Sequence, residues 1–183
     1  MITYLAPLMF VLFITMMKEA YDDFQRFRRD KEMNNKKHQI LSAKSPSGYI
    51  NISSQQLKVG HIVKVSKNER VPADLLLLYT TEKTGTVFIR TDQLDGETDW
   101  KLRKAVPLTQ KKNPPTDIIF MKAYVKALAP NDQIYDFKGY LLDQERDQKE
   151  PLSLENTLWA NTVLASSDYV LGLVLYTGVE TRA

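Results

Sequence analysis

The spacing of apolar residues along the sequence changes at His38. From that residue onward, apolar and polar side chains alternate over short runs, and turn residues separate one run from the next. A period of two is typical of half-buried β-strands, whereas helices repeat every 3.6 residues. Strand-like runs cover residues 48–52, 62–65, 75–79, 86–90, 124–128, 134–142 and 169–176; of these, 75–79 and 169–176 are almost wholly apolar, as expected of buried strands. They predict a mainly β domain over residues 38–183, built as a sandwich or as a barrel-like structure.

The residues at the start of the chain follow another pattern. Residues 1–17 carry no charge and are rich in Leu, Met, Phe and Ile. As a helix they would extend about 25 Å, slightly less than the roughly 30 Å hydrocarbon core of a bilayer. A signal peptide is disfavoured, because a basic start and a small-residue cleavage site are both missing. A buried helix of a soluble domain stays open as an alternative to the preferred interpretation, the last part of a transmembrane helix.

A charged helical stretch follows over residues 18–37. Residues 18–44 hold eight Lys or Arg and five Asp or Glu, so the whole net charge of +3 lies directly after the apolar start. Basic residues next to a membrane span face the cytoplasm. The pattern therefore predicts a cytoplasmic helical stalk, and it argues against a nucleic-acid surface.

Several kinds of site are excluded by residue type. The chain has no cysteine, so a disulfide framework and a thiolate site are impossible. Its two histidines, His38 and His61, lie far apart in sequence, which makes a histidine metal cluster improbable on spacing. We expect no metal site and no cofactor site within this chain.

The stretch from Asp92 to Leu102 is the candidate site. The Asp95-Gly96 pair is a strong tight-turn signal, and it follows the apolar run 87–89. Glu97 comes next, so a turn here would project its carboxylate from the tip of a loop. Such a carboxylate can reach into a partner's site, align a water molecule and accept its proton. A solvated hairpin tip without chemistry is the competing interpretation.

The residues around this loop resemble a known family. Residues 90–102 read Arg-Thr-Asp-Gln-Leu-Asp-Gly-Glu-Thr-Asp-Trp-Lys-Leu. They resemble the actuator signature of the type-IV P-type ATPases, the phospholipid flippases, and are most similar to the IIA/IIB subgroup. Three other stretches resemble the same domain in the same order: residues 71–76, 154–160 and 176–182. Asp99 and Trp100 replace the Asn-Leu that is common in the family.

The resemblance implies a fold and a set of domains. It implies a distorted jelly-roll-like actuator domain over residues 38–183, with an exposed loop at 143–150. Residues 1–17 would end a transmembrane helix, and residues 18–37 would form the stalk. In the family, the actuator moves its loop over an aspartyl-phosphate on another domain. Carried over, Glu97 would position and deprotonate the attacking water, Gly96 would allow close backbone approach, and Asp95 and Thr98 would shape the loop.

The resemblance also implies partners that lie outside these residues. ATP and Mg²⁺ would act in the full-length protein, and the partners would be its phosphorylation and nucleotide-binding domains and membrane phospholipid. An accessory β subunit is not expected to be required. The resemblance implies an integral membrane protein, located in Golgi or endosomal membranes, with the actuator on the cytoplasmic side. The chain by itself is expected neither to hydrolyse ATP nor to move lipid.

A second motif needs to be separated from the first. Residues 82–86, Glu-Lys-Thr-Gly-Thr, are similar to the Asp-Lys-Thr-Gly-Thr phosphorylation motif of P-type ATPases. The attacking residue of that motif is an aspartate, so Glu82 does not fit, and a hairpin connection is predicted instead. Two other functions stay open. One is a membrane-tethered β-sandwich that binds a protein through exposed Trp100 and Trp159, and the other is the actuator of an ion pump.

Overall fold

The computed structural model describes residues 2–92, 94, 96–130 and 133–181. The described chain divides into two compact units. One contains residues 1–36 and 53–55, and the other contains residues 37–52 and 56–183.

The first unit is dominated by one long helix, α1, from Ile2 to Asn35. The predicted apolar segment and stalk form one continuous helix as far as Asn35, with Pro7 inside it. The stalk predicted to residue 37 was two residues too long, because a strand begins at Lys37. The apolar side chains from Leu8 to Met17 are exposed to between 50% and 68%. The helix ends at two asparagines, which are weak helix formers. In the described part of the chain, no helix combines the length and the apolar character needed to cross a membrane.

The second unit is mainly antiparallel β-structure, as the sequence pattern predicts. Its strands are β1 (Lys37–Leu41), β2 (Tyr49–Ser53), β3 (Ile62–Ser66), β4 (Asp74–Thr80), β5 (Thr86–Arg90), β6 (Trp100–Lys104), β7 (Ala123–Ala127), β8 (Lys138–Asp143), β9 (Gln148–Ser153), β10 (Thr157–Leu158), β11 (Val163–Leu164) and β12 (Tyr169–Tyr176). The short helix α2 (Pro107–Gln110) follows β6, and 3-10 turns lie at Ser54–Gln56, Pro115–Phe120, Leu154–Asn156 and Gly178–Glu180.

These strands form three sheets. The largest has the order β10-β4-β12-β3-β1-β2, and the two smaller ones have the orders β11-β5-β6 and β7-β8-β9. Leu75 and Leu77 of β4 belong to one apolar cluster together with Ile89 of β5. Leu76 of β4 belongs to a second cluster together with Leu141 of β8. The six-stranded sheet is therefore the middle layer, covered on both faces, and this explains why β4 is a continuous apolar run.

A buried carboxylate joins two of the central elements. Asp74, at the start of β4, is fully buried and accepts a 2.8 Å hydrogen bond from the backbone N–H of Ala160. A carboxylate without such a partner would be costly to bury. The stretch 71–76 thus builds the fold, as its sequence indicates.

Two predictions about loops were wrong in detail. The exposed loop predicted at 143–150 is shorter, because β8 ends at Asp143, which is buried, and β9 begins at Gln148. The predicted hairpin at residues 82–85 is a turn that joins two different sheets, since β4 pairs with β10 and β12 whereas β5 pairs with β6 and β11. A local turn signal does not specify which sheet the next strand joins.

Candidate catalytic loop

The candidate residues lie in the connection between β5 and β6, which we call the Glu97 loop (residues 91–99). Its two strands pair in antiparallel register, with Arg90 opposite Trp100. The loop begins at Thr91, which is buried, and its backbone carbonyl accepts a 2.8 Å hydrogen bond from the N–H of Leu94. The predicted loop therefore exists, and a packed sheet fixes both of its ends.

The glycine has the conformation that the sequence requires. Gly96 has φ of +73°, a left-handed value that other residues adopt at a cost. A Cβ atom built on Gly96 would meet no atom of the described residues within 4 Å, its chain neighbours aside. Thr98 is exposed, and Asp95 lies outside the described residues. The backbone at Gly96 is thus open to close approach by another molecule.

Glu97 points into solvent rather than into the domain. Its side chain is 56% exposed, and its Oε2 lies 2.8 Å from Nζ of Lys101 on β6. A carboxylate at this position can accept a proton from a water molecule held by an approaching partner. An inward Glu97 would have excluded that chemistry.

Lys101 approaches Glu97 from the inner side of the sheet. It lies opposite Ile89, which is fully buried, and only 20% of its side chain is exposed. Its Nζ lies 5.5 Å from the ring centroid of Tyr135, within the range of a cation–π contact.

The outer side of the same strands is apolar. Phe88, Trp100 and Leu102 are 41%, 60% and 42% exposed, and the rings of Phe88 and Trp100 lie 6.0 Å apart. Trp159 differs, since it is 1% exposed and its indole N–H donates a 2.9 Å hydrogen bond to the carbonyl of Ile134. Of the two tryptophans expected to be exposed in a binding module, only Trp100 is.

The second motif forms a hydrogen-bonded turn, the Glu82 turn (residues 81–85), whose residues 82–84 are exposed. The N–H of Gly85 donates to the carbonyl of Glu82 at 2.9 Å, and the carbonyl of Gly85 accepts from Ala105 N–H at 2.8 Å. Gly85 is itself buried. This turn is a structural connection, and it places no aspartate where a phosphoryl group could be received.

Comparison with known proteins decides the family. No protein-family model matches the chain. It is 49% identical to the probable phospholipid-transporting ATPase IIB of Bos taurus over 99% of its own length and 16% of the relative's. It is 48% identical to the phospholipid-transporting ATPase NEO1 of Saccharomyces cerevisiae, over 98% of the chain and 15% of that protein. It is also 48% identical to the probable phospholipid-transporting ATPase tat-5 of Caenorhabditis elegans, over 100% of the chain and 17% of that protein.

The chain belongs to the phospholipid-transporting ATPases. It spans about one sixth of the length of the relatives that it matches. The resemblance on four short stretches is thereby confirmed over the whole chain, including the similarity to IIB. The described residues of this chain include no cluster of three or more His, Cys, Asp or Glu side chains that could hold a metal ion.

Sequence reasoning missed Lys101 and Tyr135. Glu97 and Lys101 stand four apart, which is a recognised ion-pair spacing on helices. The stretch is a loop leading into a strand, so that rule gave no reason to pair them. Tyr135 is 34 residues away, and only the packing of residues 133–137 beside β6 brings its ring to Lys101.

Proposed function

We propose that this chain is the actuator segment of an ATP-driven phospholipid-translocating P-type ATPase. Glu97 acts there as the general base that helps to hydrolyse an aspartyl-phosphate on another domain. The observation that carries the proposal is the solvent-exposed carboxylate of Glu97 beside an open glycine, in a chain that belongs to the phospholipid-transporting ATPases. The relatives' names give the cargo, phospholipid, and the energy source, ATP.

The proposed step is a hydrolysis. A water molecule lies between the Glu97 carboxylate and the phosphorus atom, and the carboxylate accepts its proton as the water oxygen bonds to phosphorus. The bond between phosphorus and the aspartyl oxygen breaks, which releases inorganic phosphate and restores the aspartate. Glu97 then returns its proton to solvent. A well-placed base contributes about 10²–10⁴-fold to such a rate.

The other loop residues support this approach. Gly96 lets the backbone come close to the phosphoryl group because no Cβ atom stands in the way. Asp95 and Thr98 are proposed to shape the loop. The described residues do not offer a ligand set for Mg²⁺. From the relatives, we propose that ATP and Mg²⁺ act at the phosphorylation and nucleotide-binding domains of the full-length protein, and no step here passes through them.

The N-terminal helix is proposed to connect the domain to the membrane. Residues 1–17 would be the end of a transmembrane helix, residues 18–37 the cytoplasmic stalk and residues 38–183 the actuator. The exposed apolar side chains from Leu8 to Met17 support this division, because such a surface is stable in lipid and not in water. Placement in Golgi or endosomal membranes, without a required β subunit, stays a prediction.

The test uses the full-length ATPase to which we propose this chain belongs. It compares the carboxylates of Glu97 and Glu82. Glu97→Gln removes the base and should slow decay of the phosphorylated intermediate about 10²–10⁴-fold after an unlabelled ATP chase. Glu82→Gln is the matched control, since Glu82 is also an exposed glutamate in a turn that contains a glycine of positive φ. Phosphorylation from ATP should be normal in both variants. Normal decay in Glu97→Gln would exclude the role.

A binding module without catalysis is the second candidate. The exposed Trp100, in contact with Phe88, favours it, because tryptophan is enriched among the dominant residues of interfaces. The buried Trp159 does not contribute to such a surface. If Trp100→Ala abolished capture of a protein partner while Glu97→Gln left turnover intact, this second function would replace the first.

A further inference from the structure

The Glu97 carboxylate has a defined position although it lies on an exposed loop. A glutamate side chain has several rotamers, and an unrestrained one would spread its carboxylate over many places. A general base has to lie within hydrogen-bond reach of the proton that it accepts, and a misplacement of about 1 Å can cost 10²-fold in rate. Something has to hold this carboxylate for it to act efficiently.

The 2.8 Å contact with Lys101 supplies a restraint. The stem of Lys101 lies on the inner face of β6, opposite the buried Ile89, and only its end reaches the loop. A lysine whose stem is enclosed has fewer positions for its ammonium group than one that extends into solvent. Lys104 on the same strand shows the difference, because its side chain is 51% exposed.

Tyr135 restrains Lys101 in turn. The Lys101 ammonium lies 5.5 Å from the Tyr135 ring centroid. The residue before Tyr135 accepts the hydrogen bond of the buried Trp159 indole, and Phe137 is buried against the Trp159 ring at 5.8 Å. Tyr135 is itself 62% exposed, but the core contacts of Ile134 and Phe137 hold its backbone in place, and its ring contacts the Lys101 ammonium.

We propose that Lys101 is a positioning residue that holds the Glu97 carboxylate in place for the attacking water. The inference rests on the proposed function of Glu97. Lys101 has a second effect through its charge: a carboxylate and a phosphoryl group repel each other, and an ammonium group 2.8 Å from the carboxylate reduces that repulsion as the partner domain approaches.

The energetics favour a kinetic role over a structural one. Ion pairs with an exposed member contribute little to folding, and the Glu97 side chain is 56% exposed. Replacement of Lys101 should therefore leave the domain folded and phosphorylation from ATP unchanged. Its effect should be seen in the decay of the phosphorylated intermediate.

The experiment uses the full-length ATPase and the same decay measurement. Lys101→Met keeps the stem and removes the charge, and we expect decay to slow about tenfold. Lys101→Arg restores a cation and should return the rate to within about threefold of the wild type. Lys104→Met is the control, because Lys104 lies on the same strand and also forms a 2.8 Å ion pair, in its case with Glu155. This variant should leave decay unchanged. Lys101→Met is also combined with Glu97→Gln.

The combination separates the two proposals. If Lys101 acts through Glu97, adding Lys101→Met to Glu97→Gln slows decay no further. A further slowing in the double variant, or wild-type decay in Lys101→Met while Glu97→Gln is slow, would overturn the positioning role and leave the proposed function intact. Normal decay in Glu97→Gln would instead remove the proposed function, and the role of Lys101 with it.

Discussion

The Glu82 turn and the Glu97 loop stand at opposite ends of β5 and contain similar residues. Each has a glutamate, a threonine and a glycine with φ close to +72°. Gly85 is nevertheless buried, whereas Gly96 is exposed. The Gln110 side chain bonds the backbone beside the Glu82 turn, accepting from Thr80 N–H at 2.9 Å and donating to Thr80 carbonyl at 2.9 Å.

The difference shows that local sequence can specify a turn without specifying whether that turn is packed within the domain or exposed to solvent. The backbone carbonyls of the Glu82 turn accept hydrogen bonds from within the domain: Glu82 from the Gln110 side chain on α2, and Gly85 from Ala105 after β6. The Glu97 loop extends beyond the sheet and presents its carboxylate to solvent. Function follows from what remains accessible after the fold has formed. Three predictions test this contrast, and a fourth tests an ion pair on the neighbouring strand β6.

The largest effect should come from shortening the base. Glu97→Asp keeps the charge but withdraws the carboxylate by one methylene, and we expect decay of the phosphorylated intermediate to slow about 10²-fold. Glu82→Asp should change nothing, because the Glu82 side chain is exposed on a structural turn. The chase experiment described above measures both. Equal rates for the two aspartate variants would erase the contrast between the two sites.

The next largest effect should come from removing the bonds beside the Glu82 turn. Gln110→Ala deprives the Thr80 N–H and carbonyl of their side-chain partners. We expect a loss of about 1–3 kcal/mol in the free energy of unfolding. Urea unfolding followed by tryptophan fluorescence measures it, and Lys111→Ala at the adjacent exposed position is the control. An unchanged midpoint for Gln110→Ala would show that the turn does not depend on these bonds.

A smaller difference should separate the two glycines. Alanine at Gly85 meets a left-handed backbone that its neighbours hold in place, so we expect a loss of about 1–2 kcal/mol in the free energy of unfolding. Gly96→Ala should cost about 1 kcal/mol, the lower end of that range, since its φ is also left-handed but the added Cβ would meet no atom of the described residues within 4 Å. The same urea experiment compares them. A larger cost at Gly96 would mean that the Glu97 loop is the more rigid of the two.

The smallest effect concerns the ion pair at the other end of β6. The hydrogen bond from Lys104, and then the Lys104 charge, lower the pKa of Glu155 below its ordinary 4.5. A lowered folded-state pKa stabilises the fold above the unfolded value, and this contribution disappears as the pH falls through the folded value. The gap in urea midpoint between the wild type and Lys104→Met should therefore be smaller at about pH 3 than at about pH 6. A gap independent of pH would contradict this.

The strands that the sequence predicted best are those made mostly of buried apolar residues. β4 and β12 are nearly continuous buried runs, so their positions followed from hydrophobicity alone. The start of β9, Gln148 to Glu150, was missed because charged residues and Pro151 suggest a loop. β9 is an edge strand whose Lys149 contacts the Tyr140 ring, and proline is tolerated at edges.

The sequence singled out Glu97 and its exposure, whereas its catalytic role stays a prediction and its contact with Lys101 was not foreseen. A glutamate after Asp-Gly is recognisable in sequence, and its exposure followed. The contribution of Lys101 depends on Tyr135, and Tyr135 depends on the packing of Phe137 and Trp159. Contacts between residues distant in sequence arise from tertiary packing, which no local pattern encodes.

The position of β12 has a consequence for biosynthesis. It is the last strand in the sequence, and it lies between β3 and β4 in the six-stranded sheet. On the ribosome, the two halves of that sheet have no shared neighbour until Tyr176 has emerged. At about 5–20 residues per second, β3 and β4 then wait roughly ten seconds for the strand that lies between them. During that interval the edges of both strands are unpaired, which is the condition in which nascent chains aggregate most readily.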